Sequence, residues 1–208
     1  MLKPLLTSVV ALAALVSAGA ASAADPITVA GSAEKFCSLP DTWSASAASG
    51  GAAAGQFTGM TWTIPEALLS DAQGQPVVGS DFGMRIVGVG HCNASHTIQL
   101  TSARGGLVTG VPGAATPDNF SRRRNIRYDA YWSLSGGSAV FGANVNNFNP
   151  TSPGQSSNAA NFQVGVGQAP PGEREFHLRV GLQRPAGAAP LLAGAYSDNV
   201  TITITLAP

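Results

Sequence analysis

The sequence predicts an all-β fold, an antiparallel β-sandwich of about eight to ten strands in one domain. Three observations carry this. Six segments alternate apolar and polar residues with period 2. Gly (25) and Pro (14) are abundant in the 208 residues, which suits a turn-rich β protein rather than a helical one. Only Pro65 to Asp71 reads as helix, about two turns at most.

Taken in order, Met1 to Ala23 reads as a secretory leader: Lys3 gives the positive start, Leu5 to Val16 is apolar and uncharged, and Ala21-Ser22-Ala23 supplies the small-residue cleavage pattern. The domain is therefore expected over 24–208. Ile27 to Val29, Thr42 to Ala45 and Ala139 to Val145 are weaker strand candidates, and Ala45 to Gly55 reads as a small-residue loop. Met60, Trp62 and Ile64 alternate with Thr61 and Thr63. Phe82 to Val89 is apolar on both faces except at Arg85 and reads as a central strand.

Ile98 and Leu100 alternate with threonines, and Cys92 shares their parity if the strand is continuous. Ile126, Tyr128, Ala130, Trp132 and Leu134 form one face of the next strand, with Arg127, Asp129, Tyr131 and Ser133 opposite. Asn146 to Asn161 reads as a long polar loop. Phe162, Val164 and Val166 follow, then Phe176, Leu178, Val180 and Leu182, and finally Val200, Ile202, Ile204 and Leu206 against Thr201, Thr203 and Thr205. Each gives one apolar and one polar face, as sheets covered on one side require.

Charge is sparse: 11 Lys+Arg balance 11 Asp+Glu, 11% of residues against a usual share of about 25%. Nucleic-acid binding, which needs many cations, is disfavoured, and 44% hydrophobic content argues against disorder. The two cysteines, Cys37 and Cys92, suggest one disulfide in an exported chain. It would close a loop of about 55 residues and stabilise by about 4 kcal/mol on the chain-entropy model. His91 and His96 flank no compact zinc spacing. No Gly-x-Ser-x-Gly elbow or paired acid/base spacing is present, so no catalytic residue, cofactor or metal site is expected.

The run Leu192 to Ile204 resembles the ending of the spore coat protein U family, which includes archaic chaperone–usher pilus subunits and related secreted pilin-like proteins. The match is Ala193, Gly194, Tyr196 and Asp198, the Ala-Gly-x-Tyr-x-Asp turn before a final alternating strand. Cys92-Asn93, Ile98 to Ser102 and Gly105-Gly106-Leu107 are similar to the family's second-cysteine strand and following turn; Cys37 and the leader fit its layout. Arg122-Arg123-Arg124 and the ending Leu206-Ala207-Pro208 depart from it.

The resemblance implies an immunoglobulin-like, pilin-like sandwich one strand short, with no enzymatic activity. A neighbour's N-terminal segment would fill the gap. Implied partners are a periplasmic chaperone, an usher and further copies of the chain; implied locations are the periplasm, the cell surface or the medium. No membrane span is expected once the leader is cleaved. The donor would lie near Asp25 to Phe36, where Ile27 and Val29 fit either a donor strand or the first strand of the chain's own sandwich.

Two other features are candidate surface contacts. Arg122, Arg123 and Arg124 read as an anion-binding patch or a solvated loop. Trp43, with the 146–161 loop, would serve glycan binding by a self-complete sandwich, the alternative function. Trp62 and Trp132 share the apolar parity of their strands and are assigned to the core.

Overall fold

The computed structural model describes residues 31–47, 56–77, 84–113, 119–133, 145–164, 172–184 and 186–208. The chain divides into two compact units, Met1–Ala33 and Glu34–Pro208. Residues 31–33 are exposed and carry neither helix nor strand; the leader over 1–23 and the donor candidates Ile27 and Val29 lie outside the described residues, as do 48–55 and 139–144.

The described residues hold fourteen strands, many of them very short: β1 (Cys37–Ser38), β2 (Ser44–Ala47), β3 (Gln56–Thr58), β4 (Thr61–Thr63), β5 (Met84–Cys92), β6 (His96–Ser102), β7 (Leu107–Thr109), β8 (Arg123–Arg124), β9 (Ile126–Ser133), β10 (Asn146–Phe148), β11 (Ala160–Phe162), β12 (Gly172–Leu182), β13 (Tyr196–Ser197) and β14 (Val200–Leu206). The single helical turn α1 (Glu66–Leu69) starts after Pro65 and stops where Ser70 becomes extended. Asp71 then accepts the N–H groups of Gln73 and Gln75, closing the turn. No described helix is long and apolar enough to cross a membrane.

The larger sheet has the order β1-β5-β12-β9-β10, with β2 also on β5. The smaller is β11-β6-β14; β13-β7-β8 and the hairpin β3-β4 are satellites. All pairings between these strands are antiparallel; the isolated bridge Ser121–Leu191 is parallel. Met84, Ile86, Ala130, Trp132, Phe176 and Leu178 of the larger sheet bury against Ile98 and Leu100 of the smaller one, the two-layer core of a sandwich.

β5 and β6 do not form one continuous strand. The chain turns at 93–95 and crosses from one sheet to the other. Cys92 is buried because it lies on the inward face of β5 with Met84 and Ile86; the same parity at Ile98, beyond the corner, is incidental. The outer face of β5 is also less apolar in its setting than expected, since Val89 is exposed. Gly88 and Gly90 let the 38–42 segment cross β5 closely: a Cβ on Gly88 would sit 2.4 Å from the Pro40 Cβ, and one on Gly90 2.4 Å from the Ser38 carbonyl.

Three further expectations are corrected. Met60 does not join the inward face of Trp62; it occupies the β3–β4 turn with φ 66° and is exposed, because the reversal uses Gly59-Met60 in positive-φ conformations. The 146–161 loop begins and ends as strand (β10 and β11), and its middle is bonded to β6. β2 agrees with the end of the Thr42 to Ala45 strand candidate and runs through Ala47, into the stretch expected to be a loop.

Candidate functional site

A cavity of about 1020 Å³ opens between the two layers. Its floor is the inner face of the larger sheet, with Ile86, Ile126, Leu178 and Val180. Val200 and Ile202 of β14 form one flank; Trp62 of β4 and Leu69 of α1 form the other.

The β14 flank is an edge. Among the described residues β14 pairs only with β6. Its register places Thr201, Thr203 and Thr205 opposite Thr101, Gln99 and Thr97. At the two ends of this ladder, Ala207 N–H donates to Ser95 and Ala103 N–H to Asn199, so the odd-numbered residues exchange the bonds. Alternation then directs the N–H and C=O groups of Val200, Ile202, Ile204 and Leu206 away from β6. Those residues also carry the inward side chains. Val200, Ile202 and Ile204 are only half-buried, whereas Ile98 and Leu100 beside them on β6 are wholly buried. Among the described residues, apolar side chains and backbone groups with no partner strand thus share one lip of the cavity.

The residues of the family-like turn hold this lip. Gly194 has φ 152°, and a Cβ there would meet Thr109 Oγ1 at 2.7 Å, so only glycine fits. Tyr196 Oη donates to the carbonyls of Leu192 (2.7 Å) and Ser121 (3.0 Å). Asp198 accepts from Ser102 Oγ (2.7 Å), Tyr128 Oη (2.9 Å) and the Arg104 N–H (3.0 Å), tying the start of β14 to both sheets. Burial, aided by the Asp198 charge, raises the Tyr128 phenol far above its ordinary pKa, so it is always a donor. Ala193 is an exposed member of the turn.

Cys37 and Cys92 are joined in a disulfide. Such bonds persist in oxidising, extracytoplasmic environments. The two sulfurs and His96 Nε2 lie within 4.8 Å of one another. The sulfurs are bonded to each other, and Nε2 accepts the Trp132 indole N–H at 2.8 Å, so no free donor set faces a metal. His96 Nδ1 lies 2.9 Å from the Ala94 carbonyl, which fixes the tautomer. Burial, reinforced by the Arg174 charge, holds His96 below its ordinary pKa against that hydrogen bond.

The three arginines do not form one patch. Arg124 is buried, donating to the carbonyls of Gln183 and Val77, and burial followed by the Arg184 charge lowers its pKa to about 10. Arg123 donates to the Thr151 carbonyl and Arg122 to that of Pro112. Trp43 is half-buried, edge-on to Phe176 (5.7 Å), and lines the cavity rather than standing out from the surface. Both amide atoms of Asn93 are engaged: Oδ1 accepts the Phe36 N–H and Nδ2 donates to the Glu34 carbonyl. Glu34 to Phe36 is therefore fixed to its own sandwich, which shortens the candidate donor segment to 25–33.

Sequence reasoning missed a buried polar cluster on the outer face of the larger sheet. Asp129 accepts from Arg127 (3.0 Å) and Arg179 (2.9 Å) while wholly buried. Tyr131 stacks on His177 at 4.8 Å. Ser133 Oγ lies 2.6 Å from His177 Nε2, and Glu175 lies 3.2 Å from the same nitrogen. A nucleophilic triad needs base and acid on opposite ring nitrogens; here Nδ1 has no partner, and Ser133 is wholly buried. The spacing of Arg127 and Asp129 on one strand face was the available signal. Nothing local pairs Ser133 with His177.

No protein-family model matches the chain, and no curated protein matches it.

Proposed function

We propose that this chain is an exported, pilin-like structural or adhesive subunit of surface fibres that is completed by an added β-strand. The observation that carries the reading is the β14 edge. Inward-facing Val200, Ile202 and Ile204 are half-buried over a large cavity of mixed apolar and polar lining, and their backbone groups point away from β6. An open edge of this kind favours strand addition and is an aggregation hazard when uncovered. Export agrees with the disulfide and with the leader pattern. A chaperone strand, and then segment 25–33 of another copy, are the natural occupants. The resemblance to the spore coat protein U family belongs to this proposal; within it, Tyr196 and Asp198 anchor the lip. The glycan-binding alternative draws less support, since Trp43 is half-buried and residues 154–157 are bonded to β6.

The test is a thermal melt of the purified protein with a synthetic 25–33 peptide. Saturating peptide is expected to raise the melting temperature by about 5–10 °C and to disperse oligomers. A stable monomer whose melting is indifferent to the peptide overturns the proposal.

A further inference from the structure

We propose that the cavity between the two layers binds a cationic amphiphile, a quaternary ammonium head carried on one alkyl chain. The inference goes beyond strand addition, because it rests on the chemistry of the cavity walls and not on the β14 edge.

The walls differ in polarity. The floor side chains Ile86, Ile126, Leu178 and Val180 come from three adjacent strands, β5, β12 and β9, and are pure hydrocarbon. Two indole rings stand at the margin: Trp62 on β4, and Trp43, half-buried just before β2. The charged residues are all of one sign. Among the described residues Glu66, Asp71 and Asp198 line the cavity, and no Lys, Arg or His does. The whole chain balances 11 basic against 11 acidic residues, so this asymmetry is local. A cleft carrying charge of one sign over low-dielectric walls focuses its field on an entering counter-ion.

The three acids are not equivalent. Asp198 serves the fold, held by Ser102, Tyr128 and the Arg104 N–H. Asp71 spends Oδ1 on the N–H groups of Gln73 and Gln75, and its Oδ2 accepts nothing among the described residues. Glu66 is exposed and precedes Leu69 by three positions on α1, so the two share a face, and both line the cavity. Head-group binding therefore falls to Glu66 and Asp71, on the flank that Trp62 and Leu69 form. A quaternary ammonium suits this rim. It is drawn to carboxylates and to the face of an indole, and it has no N–H whose hydrogen bonds are lost on leaving water. Its alkyl chain covers the aliphatic floor and releases the water there. Small-molecule sites hold roughly 300–1,000 Å³, and about 1020 Å³ lies at the upper end of that range, room for one such molecule. An anionic head would meet only like charge at the same rim.

The experiment titrates the whole protein with decyltrimethylammonium, decyl sulfate and decyl maltoside, each below its micelle-forming concentration. Tryptophan emission and the melting temperature are followed. The cation is expected to bind saturably, one per chain, to raise the melting temperature, and to bind about tenfold or more tightly than either other head. Added salt should narrow that preference, since both carboxylates are exposed. Glu66→Lys changes an exposed side chain; it should weaken the cation about tenfold and turn the preference toward decyl sulfate. Trp62→Leu should weaken the cation more than the maltoside. Equal affinities for the three heads, or a cation preference that Glu66→Lys leaves intact, overturn the proposal. Failure of the cation to saturate or to stabilise also overturns it. Strand addition is decided separately by the peptide melt, so the two readings fail independently.

Discussion

The two sides of β6 face different fates. On one side, Gln155 to Phe162 saturates it. Ser102 N–H donates to Gln155, Ser157 N–H to Leu100, and the Asn146 amide reaches the Ile98 carbonyl (2.7 Å), Ser157 Oγ and the Asn158 carbonyl. On the other side β6 has β14, and β14 has no described neighbour beyond it. The side closed by an irregular polar segment is finished; the side closed by a regular Val/Ile/Thr strand is not. Regularity marks a strand that can still accept a partner, because evenly presented N–H and C=O groups are a template, whereas side-chain amides and hydroxyls terminate pairing.

Proline scanning of β14 breaks this contrast most strongly. Thr203→Pro removes an N–H that serves the β6 ladder and is expected to destabilise by about 3 kcal/mol or more in urea unfolding. Ile204→Pro removes an outward N–H and should cost about 1–2 kcal/mol, from lost packing, while abolishing the peptide's stabilising effect. Equal costs for the two would refute the assignment of which groups face outward.

Next in size is Asn146→Ala on the saturated side. It strands buried acceptors and is expected to cost about 2 kcal/mol by chemical denaturation without altering peptide binding. Asp198→Asn should cost about 1–2 kcal/mol, and because it loosens the start of β14 it should also weaken the peptide; an effect on stability alone would separate the anchor from the groove.

The smallest effect is on pH dependence. His96 pairs with Phe162 on one side and Leu206 on the other, so it joins the two. Burial holds both His96 and His177 below the unfolded value of about 6.5; for His177, the Glu175 charge opposes this and the Arg85 and Arg179 charges assist it. Above about pH 6.5 neither state binds the proton and stability is level. Below it the unfolded chain protonates first, so stability falls as pH drops, until the folded pKa is passed. The slope is at most about 1.4 kcal/mol per pH unit per histidine. His96→Gln should remove its share of that slope in pH-dependent unfolding and leave that of His177.

What the sequence makes legible follows from range. Alternation is local, so Ile126 to Trp132, Phe176 to Leu182 and Val200 to Ile204 read correctly as strand faces. The corner at 93–95 is hidden because Ile98 happens to keep the parity of Cys92. The openness of β14 is hidden too: a Val-Thr-Ile-Thr run is the same whether one neighbour or two are present. The Ala-Gly-x-Tyr-x-Asp turn points to the right neighbourhood, but its role emerges only when Asp198 meets Tyr128 and Ser102. Arg124 looks like its half-buried neighbours Arg122 and Arg123 until the carbonyls of Val77 and Gln183 enclose it.

The position of the disulfide sets how the domain bears tension. A pull on the chain ahead of Glu34 meets the Asn93 bonds to Glu34 and Phe36, and at Cys37 it passes through sulfur into Cys92 at the end of β5. The intervening loop, of sequence separation 55, is bypassed and cannot be drawn out. The load falls along β5, which is paired with β12 over nine residues, so it is met in shear by the longest ladder in the described fold rather than by the short strands that precede it.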